Sequence, residues 1–302
     1  MLIDSHKSSK GDAYWDNLTG GETGRYKARV LDGLLRAHLA KPVEAILDIG
    51  CGTSDIAFRY RDLAGGARLV CMDYDAAIVE AARRNHPDEP VEWRVADIFE
   101  IDRWQDRFDI VFMLDMLHEV YSFRGRTDLA KAGEIDHARG LAAAEEALAK
   151  IATVVAPGGG IVITDNVLSP ETGPVTVRLR NEAAQAAVER FLAEYPSRRM
   201  AVGRPEPGVI RLAAHDFCIL LTQYNKIKSG QEDRWRVEQL EIHQYMTERQ
   251  YRETFDRLGF DAHIVIGTPD SQMQEWRDDF AVLDGMAGLP EKRVTLLAVK
   301  RG

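Results

Sequence analysis

Cysteine is scarce. The 302-residue chain has three, Cys51, Cys71 and Cys218, an odd number never spaced as C-x-x-C. Neither a disulfide scaffold nor a zinc cluster is therefore supported, and a reducing cytoplasm is the expected location. Long apolar runs are also absent: nothing approaches the ~18 residues that cross a bilayer. Met1 to Asp12 is polar with no apolar core, so neither membrane nor targeting segment is expected. Positive charge is in deficit, with 39 Lys+Arg against 48 Asp+Glu and a net charge of -9. That balance argues against a nonspecific grip on a phosphate backbone, and no nucleic-acid partner is expected. No internal repeat or low-complexity tract is present. With 45% hydrophobic and 29% charged residues, disorder is excluded and a buried core needs no metal or crosslink to fold.

What the chain does have, from residue 41 onward, is an alternation of short β-branched runs and longer helical stretches. That rhythm belongs to a parallel α/β sheet. Strands are expected at Val43–Ile49, Arg68–Asp73, Val91–Val95, Phe108–Leu114, Gly160–Asp165, Ala262–Ile266 and Val294–Lys300. Helices are expected at Ser54–Leu63, Ala76–Asn85, near Ile98–Trp104, and from Ile135 to Val155, where Pro157 and the glycines that follow turn the chain. After Leu168 the rhythm breaks for nearly eighty residues and resumes at Thr247 with a helix to Leu258. The interruption carries helical patterns at Val177–Tyr195 and Leu212–Lys228. Three parts follow: an N-terminal helical lid over 1–40, a core of 41–168 plus 246–302, and a cap over 169–245.

The strongest motif is Ile46-Leu47-Asp48-Ile49-Gly50-Cys51-Gly52-Thr53-Ser54, a buried strand entering a Gly-x-Gly turn and then a helix. Such a turn lets backbone approach a ligand closely. A dinucleotide site would want a third glycine at position 55, which is Asp55. Asp48 and Asp55 would repel a diphosphate, and they suit a ligand with positive charge, such as the sulfonium and α-amino groups of S-adenosyl-L-methionine.

D-I-G-C-G-T-S resembles the first motif of class I S-adenosylmethionine-dependent methyltransferases. The resemblance implies a Rossmann-like, seven-stranded, mostly parallel sheet of order 3-2-1-4-5-7-6, with the helical cap inserted after strand five. It also implies a cofactor site. Asp48, Gly50, Cys51 and Gly52 form its loop. Asp73, 21 positions beyond Gly52, would accept from the ribose hydroxyls, and Tyr74 would stack on adenine. Asp97 and Ile98, after strand three, would receive the adenine amino group and offer a backbone N–H, with Leu114 at the end of strand four.

Ligands in such sheets collect at the carboxyl ends of strands, here occupied by Asp115, His118, Glu119, Tyr121, Asp165 and Asn166. M-L-H-E-V-Y-S resembles a subgroup of bacterial small-molecule methyltransferases. His118 is the expected base for a hydroxyl acceptor, because an ordinary histidine titrates at about 6.5, and Glu119 would assist it. Tyr121, Asp165, Tyr224, Asn225 and Tyr245 are the expected acceptor contacts. Arginines in the insertion, Arg178, Arg198 and Arg204 among them, offer an anion clamp as an option.

T-D-N-V-L also resembles the Asp-Asn pair of metal-dependent catechol-type O-methyltransferases. Asp115 matches that pattern poorly, the glycine loop differs and the insertion is too long, so no metal ligand is assigned. The first reading is methylation of a small molecule, with oxygen slightly ahead of nitrogen. A noncatalytic S-adenosylmethionine-binding module stays open, as does the oligomeric state, a homodimer included.

Overall fold

The computed structural model describes residues 21–52, 55–128 and 133–302. Half of the expected lid, residues 1–20, lies outside the described residues, as do Thr53 and Ser54. Its one described helix, α1 (Gly21–His38), packs on the last strands of the main sheet.

The chain then alternates as β1 (Ala45–Ile49), α2 (Asp55–Leu63), β2 (Arg68–Asp73), α3 (Ala76–Asn85), β3 (Val91–Val95), a 3-10 turn over Ile98–Arg103, β4 (Phe108–Leu114), α4 (Leu117–Arg124), α5 (His137–Val154) and β5 (Val155–Asn166). After the insertion come α9 (Glu248–Arg257), β8 (Phe260–Gly267), α10 (Asp270–Asp279), β9 (Phe280–Asp284) and β10 (Arg293–Lys300). Seven strands pair in the order β3-β2-β1-β4-β5-β10-β8, with β10 antiparallel to both neighbours. With β8 sixth and β10 seventh among these strands, this is the expected 3-2-1-4-5-7-6.

Strand alternation divides the core in two. Ile46, Ile110 and Phe112 face α1 and α2 together with Leu31, Leu35 and Phe58. Leu47, Ile49, Val111 and Met113 face α4, α5 and the cap. Side chains of successive strand residues point to opposite faces, so near-continuous apolar runs are what a sheet buried on both sides requires.

The insertion holds the two expected helices, α6 (Glu182–Glu194) and α7 (Ala214–Lys228), and also an unexpected short helix, α8 (Glu232–Glu238), and two strands, β6 (Pro174–Leu179) and β7 (Val209–Ala213). With β9 these form a three-stranded antiparallel sheet, β7-β6-β9. Val177 and Leu212, expected to open helices, thus lie in strands. Val175, Val177 and Leu179 are buried while Thr176 and Arg178 are not, a period of two that a helical reading misses. The helix that follows starts where Asn181 caps the Ala184 amide at 2.8 Å. Segment 280–284, counted with the core from sequence, completes the cap sheet.

Thr247 marks the return to the core and forms a capping box with Gln250. Thr247→Ala is expected to lower stability by about 1 kcal/mol, read from urea denaturation. Among the described residues no helix is long and apolar enough to cross a membrane.

Candidate active site

The Gly-x-Gly turn folds over the end of β2, with the amides of Gly50 and Cys51 both donating to the Met72 carbonyl at 2.9 and 3.1 Å. Gly50 has φ +69, and a Cβ there would lie 3.0 Å from that of Met116, so both backbone and neighbour demand glycine. Beside the turn a cleft is lined by Gly50, Asp73, Tyr74, Asp97, Ile98 and Glu119, among others. Asp73 is 2% exposed and accepts from the Asp75 amide at 3.0 Å. Tyr74 is 40% exposed at the cleft. One oxygen of Asp97 caps the Phe99 amide at 3.0 Å, and the other pairs with Arg124 at 3.1 Å. Asp48, Cys51 and Leu114 do not line this cleft. Cys51 and Leu114 pack into the α1–α2 side of the core, and Asp48 shares the face of Ile46 on β1.

Helix α4 forms a wall with two faces. Met116, Glu119, Val120 and Phe123 look into the cleft, whereas His118, Tyr121 and Ser122 are buried on the cap side. Residues three and four apart share a helix face and adjacent ones do not. His118 and Glu119, expected to act together, are therefore separated, and Glu119 lines the cleft with Gly50, Asp73 and Tyr74.

The turn into α4 is held by charge. Asp115 is the one non-glycine among the described residues with positive φ, +51. Its amide donates to the Thr164 carbonyl at 2.7 Å, and its carboxylate pairs with Lys27 of α1 and, at 3.2 Å, with Arg293 of β10. Burial alone would raise the Asp115 pKa, but the two cations outweigh it and hold the carboxyl well below its usual range. Burial lowers the Lys27 pKa, and Asp115 partly offsets that shift. Asp115 is thus engaged by cations from α1 and β10.

On the cap side, His118 is 4% exposed. Its backbone amide donates to Asp165 at 3.1 Å and its Nδ1 lies 2.8 Å from the same carboxylate. Its Nε2 faces Glu241 at 3.4 Å. Burial opposes protonation, yet Asp165 and Glu241 together raise the His118 pKa well above its ordinary value. An imidazolium has no lone pair with which to take a proton, so the expectation of a ready base does not fit this arrangement. His243 stacks on His118 with ring centroids 4.2 Å apart. Burial and the neighbouring charge of His118 push its pKa down to about 4, so His243 is neutral.

Tyr121, Asp165 and Tyr245 do come together. Tyr121 stacks on Tyr245 at 4.9 Å, and the Tyr245 hydroxyl reaches Asp165 at 3.4 Å. Tyr224 and Asn225 do not join them. The Tyr224 hydroxyl donates to Asp279 at 2.7 Å, and the Asn225 amide donates to Glu275 at 2.6 Å, tying α7 to α10. The α7 face turned toward the cluster carries Gln223 and Lys226, spaced i,i+3, with Lys226 Nζ 2.8 Å from Glu238. The sequence reading missed Lys226, Glu238 and Glu241, although acids at 238 and 241 and a histidine at 243 form a dense run that could have flagged them. The arginines of the anion-clamp option are paired: Arg178 with Glu206 at 2.6 Å, Arg198 with Asp216 and Arg204 with Glu189, both at 2.5 Å. A larger cavity of about 700 Å³, between the loop after β5, the start of α9 and residues 286–291, shares no residue with the cleft beside the Gly-x-Gly turn.

Comparison with known proteins agrees with this architecture. Residues 46–159 match a family model described as a methyltransferase domain. The chain is 30% identical over 109 residues to a ubiquinone/menaquinone biosynthesis C-methyltransferase of Paracoccus denitrificans, covering 35% of this chain and 42% of that protein. It is 27% identical over 150 residues to a demethylmenaquinone methyltransferase of Thermus thermophilus, covering 49% of this chain and 57% of that protein. The matched part thus spans about half the length of these curated relatives. The 1,6-didemethyltoxoflavin-N1-methyltransferase of Burkholderia thailandensis, solved with its namesake ligand and S-adenosylhomocysteine, superposes with a TM-score of 0.52. At 15% identity over 100% of this chain and 88% of that one, the likeness is one of fold.

Proposed function

We propose that the protein, whose residues 46–159 match a methyltransferase-domain model, is a class I methyltransferase that transfers a methyl group from S-adenosyl-L-methionine to a small-molecule acceptor. The observation that carries this reading is the cleft at the carboxyl ends of β1 to β3, where Gly50, Asp73, Tyr74, Asp97 and Ile98 converge. Asp73 is the ribose acceptor, the exposed face of Tyr74 is the adenine platform, and the Gly50 turn approaches the methionine end. The Asp97 carboxylate has Arg124 as a competitor for the adenine amino group.

The acceptor is assigned to the Gly50 end of the cleft, beside Met116 and Glu119, where it can meet the methyl group, while Tyr121, Asp165 and Tyr245 are buried on the other face of α4 and back that wall. Methyl transfer is an in-line displacement from an already activated sulfonium, so alignment and exclusion of water are the main tasks. Oxygen is favoured over nitrogen as the methylated atom. Segment 238–245 returns from the cap across the far face of α4, where Ile242 meets Ser122, and braces the wall that the acceptor faces.

The test is incubation with methyl-labelled cofactor and a fractionated small-molecule extract, followed by mass identification of the labelled product. A single labelled small molecule is the expected result. Saturable binding of S-adenosylhomocysteine without transfer to any fraction would instead favour the noncatalytic binding module. Absence of heat with either S-adenosyl-L-methionine or S-adenosylhomocysteine in calorimetry, on folded protein, would remove the proposal.

A further inference from the structure

Segment 238–243 brings three ligand-type side chains to one point on the cap side of α4. One nitrogen each from His118 and His243 and one oxygen from Glu241 lie within 4.8 Å of one another, and all three residues are buried. Among the described residues this is the one such group of histidine, cysteine and acidic side chains. The two Nε2 atoms face the same Glu241 oxygen, at 3.4 Å from His118 and 3.5 Å from His243. Ligands about 2.0–2.1 Å from a tetrahedral zinc ion are separated by about 3.3–3.4 Å along the edges, so the two edges to Glu241 match that spacing, and the third, between the histidines, lies within 4.8 Å.

The surroundings supply what a metal site needs beyond its ligands. Asp165 holds His118 Nδ1 at 2.8 Å, which fixes the ring and directs Nε2 inward, as carboxylates behind metal-bound histidines do. Glu238 places a second carboxylate 2.8 Å from His243 Nε2 and is itself held by Lys226. Two imidazoles beside a carboxylate are the donor set of zinc and iron(II) sites. Magnesium and calcium prefer oxygen donors throughout.

We propose that His118, Glu241 and His243 bind a divalent transition metal of the zinc and iron(II) class, with Glu238 as the adjoining carboxylate. The ligands come from α4 and from the segment leaving the cap, so the ion clamps cap to core across the end of β5. The proposal rests on side-chain geometry alone and is independent of the methyl-transfer reading. The competing occupant is a proton on His118 shared between Asp165 and Glu241.

The experiment uses the full chain, free of any affinity tag and stripped with a chelator, titrated with zinc and separately with anaerobic iron(II), with magnesium as control. One equivalent of zinc or iron(II) bound per chain is expected, with a higher Tm for the loaded protein and no comparable response to magnesium. His243→Ala and Glu241→Gln should weaken zinc binding by about 100-fold or more, and Asp165→Asn, acting behind His118, by about tenfold. Cobalt(II) absorption of the wild-type protein requires no variant. Visible bands of a four- or five-coordinate ion are expected, and they should disappear on adding one equivalent of zinc. Absence of stoichiometric zinc or iron(II) binding would overturn the proposal, as would zinc affinity unchanged in folded His243→Ala and Glu241→Gln.

Discussion

Asp73→Ala weakens S-adenosylhomocysteine binding about 100-fold in calorimetry. The carboxylate lies at the carboxyl end of β2 and is 2% exposed, so any hydrogen bond it makes to a ribose hydroxyl is shielded from water. Hydrogen bonds to charged groups contribute about 1.5–3 kcal/mol each. Loss of two such bonds, at the low end of that range, is about 3 kcal/mol, or about two orders of magnitude in affinity. Asp73→Asn keeps one acceptor and loses the charge, and should fall between the two. The Asp75 amide that Asp73 accepts from makes a small loss of stability in the alanine variant expected too, so binding is compared on folded protein. An affinity within about twofold of wild type would show that the ribose is held elsewhere.

Lys27→Met destabilises the fold by about 2–4 kcal/mol at neutral pH. The variant keeps much of the volume of the buried stem and removes the ammonium that faces Asp115. A buried ion pair is costly to break because the surviving charge stays desolvated. Arg293, 3.2 Å from the same carboxylate, moderates the loss and keeps it below the top of the range for an isolated pair.

The sign of the pH dependence follows from Asp115, whose folded pKa is depressed. A depressed carboxylate contributes stability that is fully present above its unfolded pKa of about 3.9 and is lost as pH falls through the lower folded value. The gap between wild type and Lys27→Met in urea denaturation should therefore be open at neutral pH and narrow as pH falls, first as Asp115 of the variant and then as Asp115 of wild type takes up its proton. A gap that closed near neutrality would assign the effect to another group. Because Asp115 sits at φ +51 on the turn into α4, loss of this pair should also raise the Kd of the cofactor, whose cleft α4 lines.

Much of the core was legible because its signals are local. A strand buried on both faces reads as an apolar run, and the Gly50 turn declares itself through residues adjacent in the chain. Asp73 and Asp97 mark strand ends whose spacing follows from the length of one βα unit. The cap was less legible. Its strands are short, lie next to helices, and take their third member, β9, from a segment far along the chain, so a helical period absorbed Val177 and Leu212.

The site shows the same division. Sequence placed His118, Asp165 and Tyr245 near one another because each follows or faces a strand end. It could not decide which way each helix turns, and that turned Glu119 to the cofactor and Tyr224 to Asp279. Nor could it bring Glu241 and His243 onto α4. That approach is fixed by pairs such as Ser122 and Ile242, 120 residues apart, whose hydroxyl and amide meet at 2.9 Å.

The sequence by itself determined the sheet, the glycine turn and the acids beside the cofactor, because strand period, turn chemistry and unit length act over a few residues. Tertiary structure alone decided that two histidines and a glutamate share one buried point and that Asp115 is held by cations from α1 and β10. Those arrangements arise from the packing of surfaces distant in the chain, where burial and charge are balanced across elements and no local pattern records the outcome.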